Sequence, residues 1–338
     1  MKRALLLLLF LTAVPAHSAL TRYFSGSTHD SAPALHGPAL ILAGGGKDVE
    51  SALQAAIDTV RGCDTCTTAV DVAVLRASGA DGYNPLFMSL HGVNSVVTFV
   101  ITDRAAAERR NVARAVRNAE VVFFAGGDQC NYIRWIKGTR TAKAVESVYA
   151  RGGAVGGTSA GLAILGDIVY DACPDQSAQS KDVLLDPYSV DVSLSRDFFR
   201  WPFLTSTITD THFKQRDRMG RLLVFLARSI HDRDLSRQGG QAGKPAPHRP
   251  ALTGVGVSER TTLLLKPDGK AVVMGEGPAY LIRADARPEL CEKGRPLTYR
   301  GFKVWRFGAS ETIDLAKPPT EGYTTLDVID GKLSRDPY

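Results

Sequence analysis

Ala154-Val155-Gly156-Gly157-Thr158-Ser159-Ala160-Gly161-Leu162-Ala163-Ile164-Leu165 is the stretch from which the fold is read. Ala154 and Val155 start an apolar strand, and Leu162 to Leu165 read as helical. Between them lies G-x-S-x-G at a strand–turn–helix junction. A sharp turn there lifts the Ser159 hydroxyl clear of a sheet. Small neighbours allow the turn and let a substrate approach. The helix that follows directs unpaired N–H groups at the same place, which favours a developing oxyanion. By itself the pentapeptide also fits a merely tight, glycine-rich turn.

Upstream, the same alternation repeats. Ala39 to Ala43 is apolar and ends in Gly44-Gly45-Gly46. Asp48 is expected to cap a helix with an apolar face of Val49, Leu53, Ile57 and Val60, closed by Gly62. Ala69 to Leu75 and Ser95 to Thr102 read as strands, and Asp103 begins a polar helix to about Asn118. Val121 to Phe124 is a third buried strand, ending in Gly126-Gly127. A helix over 139–150 leads into the opening stretch. Apolar strands alternating with helices predict an α/β fold: a mostly parallel sheet with helices on both faces. Ligands of such sheets sit at the carboxyl ends of the strands. The loops at Gly44, Gly126 and Ser159 should therefore share one sheet edge.

Downstream, Thr205 to Asp210 reads as a strand and Lys214 to Ile230 as a helix. Residues 232–250 are polar and rich in Gly, Pro and Arg, an exposed loop. Strands follow near 252–257, 261–265, 271–274 and 279–282, with Lys266-Pro267-Asp268-Gly269 as a hairpin turn. Lys303 to Phe307 is β-like. The expected organisation is a signal peptide over 1–18, an arm without periodicity over 19–37, one domain over 38–290 and a β-rich extension over 291–338.

The 338 residues are 44% hydrophobic and 22% charged, an ordinary globular balance. The net charge of +6 is mild, and no run of Lys and Arg interleaves with aromatics, so no nucleic-acid partner is expected. Lys2 and Arg3, the apolar run Ala4 to Val14, Pro15 and the small-residue site Ala16-His17-Ser18-Ala19 describe a secretory signal. The run is too short to span a bilayer, so a secreted or periplasmic protein without a membrane partner is predicted. Five cysteines fit that compartment. Cys63 and Cys66 form a C-x-x-C that suits a local disulfide. A zinc site would need further ligands, and no second C-x-x-C or close His pair exists. Cys130, Cys173 and Cys291 show no pattern, and the odd total leaves a thiol over. No cofactor or metal is expected. Gly44-Gly45-Gly46 lacks G-x-G-x-x-G spacing and no P-loop Lys-Ser/Thr pair follows, so a tight strand–helix turn suffices to explain it.

Ser159 needs a base and an orienting acid. His212 follows a strand and precedes a helix, which puts it at a strand's carboxyl end. His91 is the other candidate. His17, His29, His36 and His248 fall at the cleavage site or in loops, and His231 ends a helix. Glu259 ends another strand, in Gly254-Val255-Gly256-Val257-Ser258-Glu259. Asp210 is the alternative acid. An α/β-hydrolase esterase runs Ser, acid, His. The order here is Ser159, His212, Glu259. A non-catalytic secreted binding protein would need no such alignment.

These blocks resemble those of cyanophycinases and related S51 peptidases. Gly156 to Gly161 is similar to their nucleophile motif. Asp210-Thr211-His212-Phe213 with Arg216, Arg218 and Arg221 is similar to their histidine block, Gly254 to Glu259 to their acid block, and Gly126-Gly127-Asp128-Gln129 to their substrate-side loop. All four stand in family order. The resemblance implies a flavodoxin-like sheet of the class I glutamine-amidotransferase type, a homodimer, and cleavage of peptide bonds involving aspartyl residues by Ser159, His212 and Glu259. Backbone N–H groups of Gly127 and Ala160 are expected to hold the oxyanion. Gln129, Asp210, Thr211, Arg216, Arg218 and Arg221 are expected on the substrate side, with Arg216 or Arg218 gripping a carboxylate. Thr211 stands where cyanophycinases typically carry Gln, and Ser258 where they carry Asp.

Overall fold

The computed structural model describes residues 20–174, 176–238 and 251–338. The expected signal peptide, and His248 with residues 239–250 of the expected loop, lie outside the described residues; residues 232–238 of that expected loop are instead helical, continuing the helix that starts at Met219. The first half alternates strand and helix: β1 (Leu20–Gly26), β2 (Ala39–Ala43), α1 (Glu50–Arg61), β3 (Val70–Arg76), α2 (Tyr83–Met88) and β4 (Val93–Ile101). There follow α3 (Arg104–Ala107), α4 (Arg110–Asn118), β5 (Val121–Phe124), α5 (Gln129–Trp135), α6 (Arg140–Ala150), β6 (Ala154–Thr158) and α7 (Ala160–Ala163). β2, β3, β4, β5 and β6 pair in parallel in the order β4-β3-β5-β6-β2.

The two faces of this sheet can be read from residue parity, because side chains alternate along a strand. Leu40, Leu42, Ala73, Leu75, Val122 and Phe124 enter one core cluster, with α4 and α6 packed on it. Ile41, Val72, Val74, Val121 and Phe123 enter another, covered by α1. Helices thus cover both faces, as the alternation predicts.

The second half is different. β7 (Ile168–Tyr170), α8 (Ser180–Val183), β8 (Leu194–Arg196), β9 (Thr207–Asp210), α9 (Met219–Gln238), β10 (Leu252–Val257), β11 (Thr261–Leu265), β12 (Lys270–Gly275) and β13 (Ala279–Ala284) come first. β14 (Tyr299–Phe307), β15 (Thr312–Asp314), β16 (Thr324–Ile329) and β17 (Lys332–Leu333) complete the chain. β11, β12 and β15 extend the first sheet beyond β2 with antiparallel pairing. The others form a second sheet in the order β17-β16-β14-β13-β10-β9-β7-β8, mostly antiparallel. β14, the longest strand after residue 290, is hydrogen-bonded to β13.

Four local expectations are corrected. The arm holds a strand: β1 pairs antiparallel with β4, and its half-exposed edge position explains its polar composition. Asp48 caps nothing; Val49 is the N-cap of α1 and makes no side-chain bond. The helix expected from Asp103 breaks after Ala107, whose carbonyl is taken by the Thr141 hydroxyl at 2.6 Å. Asp103 does cap α3 through Ala106 N–H. The helix expected from Lys214 starts at Met219, because Asp217 adopts a left-handed conformation, φ 47°. Cys63 pairs with Cys66, and Cys130 pairs with Cys173 across 43 residues, leaving Cys291 free and buried. No helix among the described residues is long and apolar enough to cross a membrane.

Candidate active site

Ser159 lies between β6 and α7 with φ 52° and ψ −117°. A non-glycine residue is strained there. The surroundings hold it: Ser159 N–H donates to Ala43 O at 3.1 Å, and Gly157 and Gly161 pack backbone against backbone, 2.6 Å from a Cβ built on Gly157 to Gly161 C. A side chain at Gly161 would overlap the Phe124 carbonyl. Both motif glycines are therefore steric requirements of the turn.

His212 and Glu259 come from the second sheet. His212 follows β9 and Glu259 follows β10, and β9 and β10 are parallel neighbours. The chain then crosses from β10 to β11, which belongs to the first sheet. The site thus lies at the junction of two sheets, not along the edge of one. Gly44-Gly45-Gly46 fastens the junction. His212 N–H donates to Gly44 O at 2.7 Å, Arg260 N–H to Gly45 O at 2.8 Å, and Gly44 N–H to Thr261 O at 2.8 Å. Gly45, φ 99°, lies against the imidazole; a methyl group there would sit 2.6 Å from His212 Nε2. A tight turn alone does not account for this glycine run: its role rests on contacts distant in sequence, which spacing does not reveal. Gly45→Ala is expected to displace the ring and lower kcat by about 10²-fold, the typical result of a 1 Å misplacement. A Gly45→Ala protein with wild-type kcat would contradict this.

Ser159 Oγ lies 2.7 Å from His212 Nε2. His212 Nδ1 lies 2.6 Å from Glu259 Oε1. With Nδ1–H donating to the carboxylate, Nε2 is left as the acceptor facing the serine. Glu259 N–H donates to Gln215 Oε1 at 2.9 Å, which fixes the turn carrying the acid. Burial holds the His212 imidazole below its ordinary pKa; Arg216 and Arg218 act in the same direction, while the Glu259 hydrogen bond and charge oppose them. Neutral His212 therefore persists to lower pH than a free histidine. His91, the other candidate base, is exposed and 3.2 Å from an Arg61 nitrogen.

Gly126 follows β5 and lies against the serine, a Cβ built there falling 3.5 Å from Ser159 Cβ. Ala160 is the first residue of α7, where no preceding turn supplies an acceptor for its N–H. Gln129 opens α5, and its Nε2 donates to Tyr170 O at 3.4 Å.

The remaining expected substrate residues separate into two groups. Asp210, Thr211, Arg218 and Arg221 form a buried network behind His212. Arg221 clasps Asp210 bidentately, Nε to Oδ2 at 2.8 Å and Nη2 to Oδ1 at 2.5 Å. Arg218 Nη1 donates to Thr211 O and Thr211 Oγ1, both at 3.0 Å. Burial pushes its guanidinium down to about 10. With 2% of the Arg221 side chain and 3% of the Asp210 side chain exposed, a substrate has no access to either in this conformation. Arg216 differs: its side chain is 54% exposed, with Nε 3.7 Å from Glu259 Oε1. Among the described residues no three His, Cys, Asp or Glu side chains are grouped to hold a metal.

The profile of peptidase family S51 matches residues 77–183, a span that includes Ser159. Cyanophycinases of Synechococcus elongatus and Thermosynechococcus vestitus are each 25% identical over 257 residues, covering 70% of this chain and 69% of theirs. The solved structure of a peptidase from an acI-B1 Actinobacterium aligns with a TM-score of 0.52 at 14% identity, over 82% of this chain and 98% of that one. At that identity the likeness concerns the fold alone.

Proposed function

We propose that this chain, a serine-type peptidase of the S51 kind with cyanophycinases among its relatives, opens peptide bonds at aspartyl residues through an acyl-enzyme on Ser159. The observation that carries the reading is the continuous relay Ser159 Oγ–His212 Nε2–His212 Nδ1–Glu259 Oε1 at 2.7 and 2.6 Å. His212 takes the Ser159 proton as Oγ attacks the scissile carbonyl carbon. Glu259 stabilises the imidazolium that forms. The N–H groups of Ala160 and Gly127 receive the oxyanion. His212 then passes its proton to the leaving amine as the C–N bond breaks, and water hydrolyses the ester by the same relay.

Aspartyl preference falls to Arg216, the one of the three arginines whose guanidinium is largely exposed beside the relay. Arginine binds a carboxylate bidentately, which suits an aspartyl side chain or a free α-carboxylate. Cyanophycin, β-Asp-Arg peptides and α-Asp dipeptides, read by mass spectrometry, separate the linkage classes. On paired substrates differing only in Asp or Asn beside the scissile bond, wild type is expected to prefer Asp. Arg216→Met should erase the preference in kcat/KM. An unchanged Asp/Asn ratio would place specificity elsewhere.

Arg216→Met also has a pH consequence. Arg216 helps to depress the His212 pKa. Removing it should raise that pKa, so the acid limb of the kcat/KM profile should move to higher pH. A limb that stays or moves down contradicts the assignment of His212 as the titrating base. Export from the cytoplasm is part of the proposal, supported by the two cysteine pairs, since disulfides persist in oxidising compartments.

A further inference from the structure

We propose that the groove between α4 and α6 docks carboxylate-rich polypeptide away from the catalytic relay. The cations that the linear sequence scatters are gathered here. Arg110, Arg114 and Arg117 of α4 face Arg140 and Lys143 of α6 around a concavity of about 500 Å³, with Glu108 as the one carboxylate on its wall. Glu108 is already engaged, 3.5 Å from Arg140 Nε and accepting from Arg140 N–H. All five cations are exposed. Arg110, Arg114 and Arg117 are spaced i, i+4, i+7 and share one helix face. Like charges at those spacings weaken an isolated helix, so an anionic occupant would relieve the repulsion. The rise from Arg110 to Arg114 is about 6 Å, and same-face side chains of an extended chain repeat at about 6.6–6.8 Å. Alternate aspartates of an extended segment therefore match that spacing.

Topology supplies the link to cleavage. α4 leads from the carboxyl end of β4 and α6 from the carboxyl end of β5, so both helices descend from the edge that carries Ser159. A polymer lying in the groove would reach that edge. The choice of polypeptide over other polyanions rests on the peptidase reading; the binding itself does not. The test is fluorescence anisotropy of labelled poly-L-aspartate with full-length Ser159→Ala protein, so that binding is read without turnover. Saturable, salt-sensitive binding is expected, weakened at least about tenfold when Arg110, Arg114 and Arg117 are all changed to Gln, as loss of three charge-assisted contacts implies. Undiminished binding by that variant overturns the site. Tighter binding of single-stranded DNA or polyphosphate than of poly-L-aspartate overturns the polypeptide assignment.

A second inference rests on different contacts. We infer that Tyr338 is a positioning residue for His212. Tyr338 OH accepts from Met219 N–H at 2.9 Å and donates to Phe213 O at 3.4 Å. Its ring meets Phe213 edge-on at 6.2 Å and Tyr280 at 5.8 Å. Phe213 is the residue after His212, and its ring fills the space left by Gly256, 2.6 Å from a Cβ built there. Phe213 N–H donates to Val257 O at 3.1 Å. His212 itself is left-handed, φ 46°, a conformation that persists only when its neighbours enforce it. Tyr338 reaches over 119 residues to close that enclosure. The far end of the β-rich extension thereby acts on the relay through Phe213. This rests on His212 being the base, so the test includes a readout free of turnover. Tyr338→Ala is expected to lower kcat about tenfold, part of the ~10²-fold that a 1 Å displacement causes, with KM little changed. The downfield Nδ1–H proton resonance of the His212–Glu259 hydrogen bond should shift or broaden. Tyr338→Phe, which keeps the ring, should fold normally and show a smaller change in both. Unchanged kcat and an unchanged resonance in both variants would overturn the inference.

Discussion

Ser159→Ala is expected to lower turnover by several orders of magnitude while leaving the fold intact. The loss should be on the order of 10⁶-fold in kcat, the size seen when the nucleophile of a serine triad is removed. The change deletes one hydroxyl whose bonding partner is His212 Nε2. It leaves Gly157, Gly161 and the Ser159 backbone bond to Ala43 untouched. Ala at φ 52° keeps the strain that serine already bears, so the melting temperature should move by only a few degrees. Residual activity from oxyanion binding alone should remain measurable above the uncatalysed rate. A Ser159→Ala protein with near-normal kcat would remove the serine from the chemistry.

Glu259→Gln and Asp210→Asn should differ in kind. Glu259 Oε1 meets His212 Nδ1, so an amide there supports the wrong tautomer and should lower kcat by about 10⁴-fold. Stability should change little, because the Glu259 side chain is partly exposed. Asp210 instead neutralises buried Arg221 and lies 3.6 Å from Arg218. Breaking a buried pair by removing one charge typically costs about 3–5 kcal/mol. Asp210→Asn should therefore lower the denaturation midpoint markedly, with kcat of the folded fraction falling far less. Kinetics and urea melts of both proteins decide the matter. Collapse of kcat in folded Asp210→Asn, with near-normal rates in Glu259→Gln, would reverse the roles.

The parts of this fold that are local in sequence were legible, and the parts built by distant contacts were not. The turn at Ser159 could be read because strand, small residues and helix are contiguous. The β11–β12 hairpin could be read because Lys266-Pro267-Asp268-Gly269 carries its own turn chemistry. The order Ser159, His212, Glu259 was readable because each follows a strand. It was not readable that β9 and β10 leave the first sheet, since an apolar strand reads alike in either sheet. The duty of Gly45 was hidden for the same reason: its constraint is the ring of His212, far away in sequence. Arg216, Arg218 and Arg221 look equivalent in sequence. Only packing against Asp210 and Thr211 separates the exposed one from the buried two. Cys130 and Cys173 have no spacing signal, because their pairing is set by how α5 meets the segment after β7.

Covalent trapping tests the central claim most directly. The protein is incubated with a serine-directed phosphonate, and intact-mass and peptide-level mass spectrometry locate the adduct. One adduct per chain is expected, on Ser159, formed rapidly in wild type, slowly in His212→Ala and not at all in Ser159→Ala. No adduct on folded wild-type protein, or an adduct on any other residue, would contradict it.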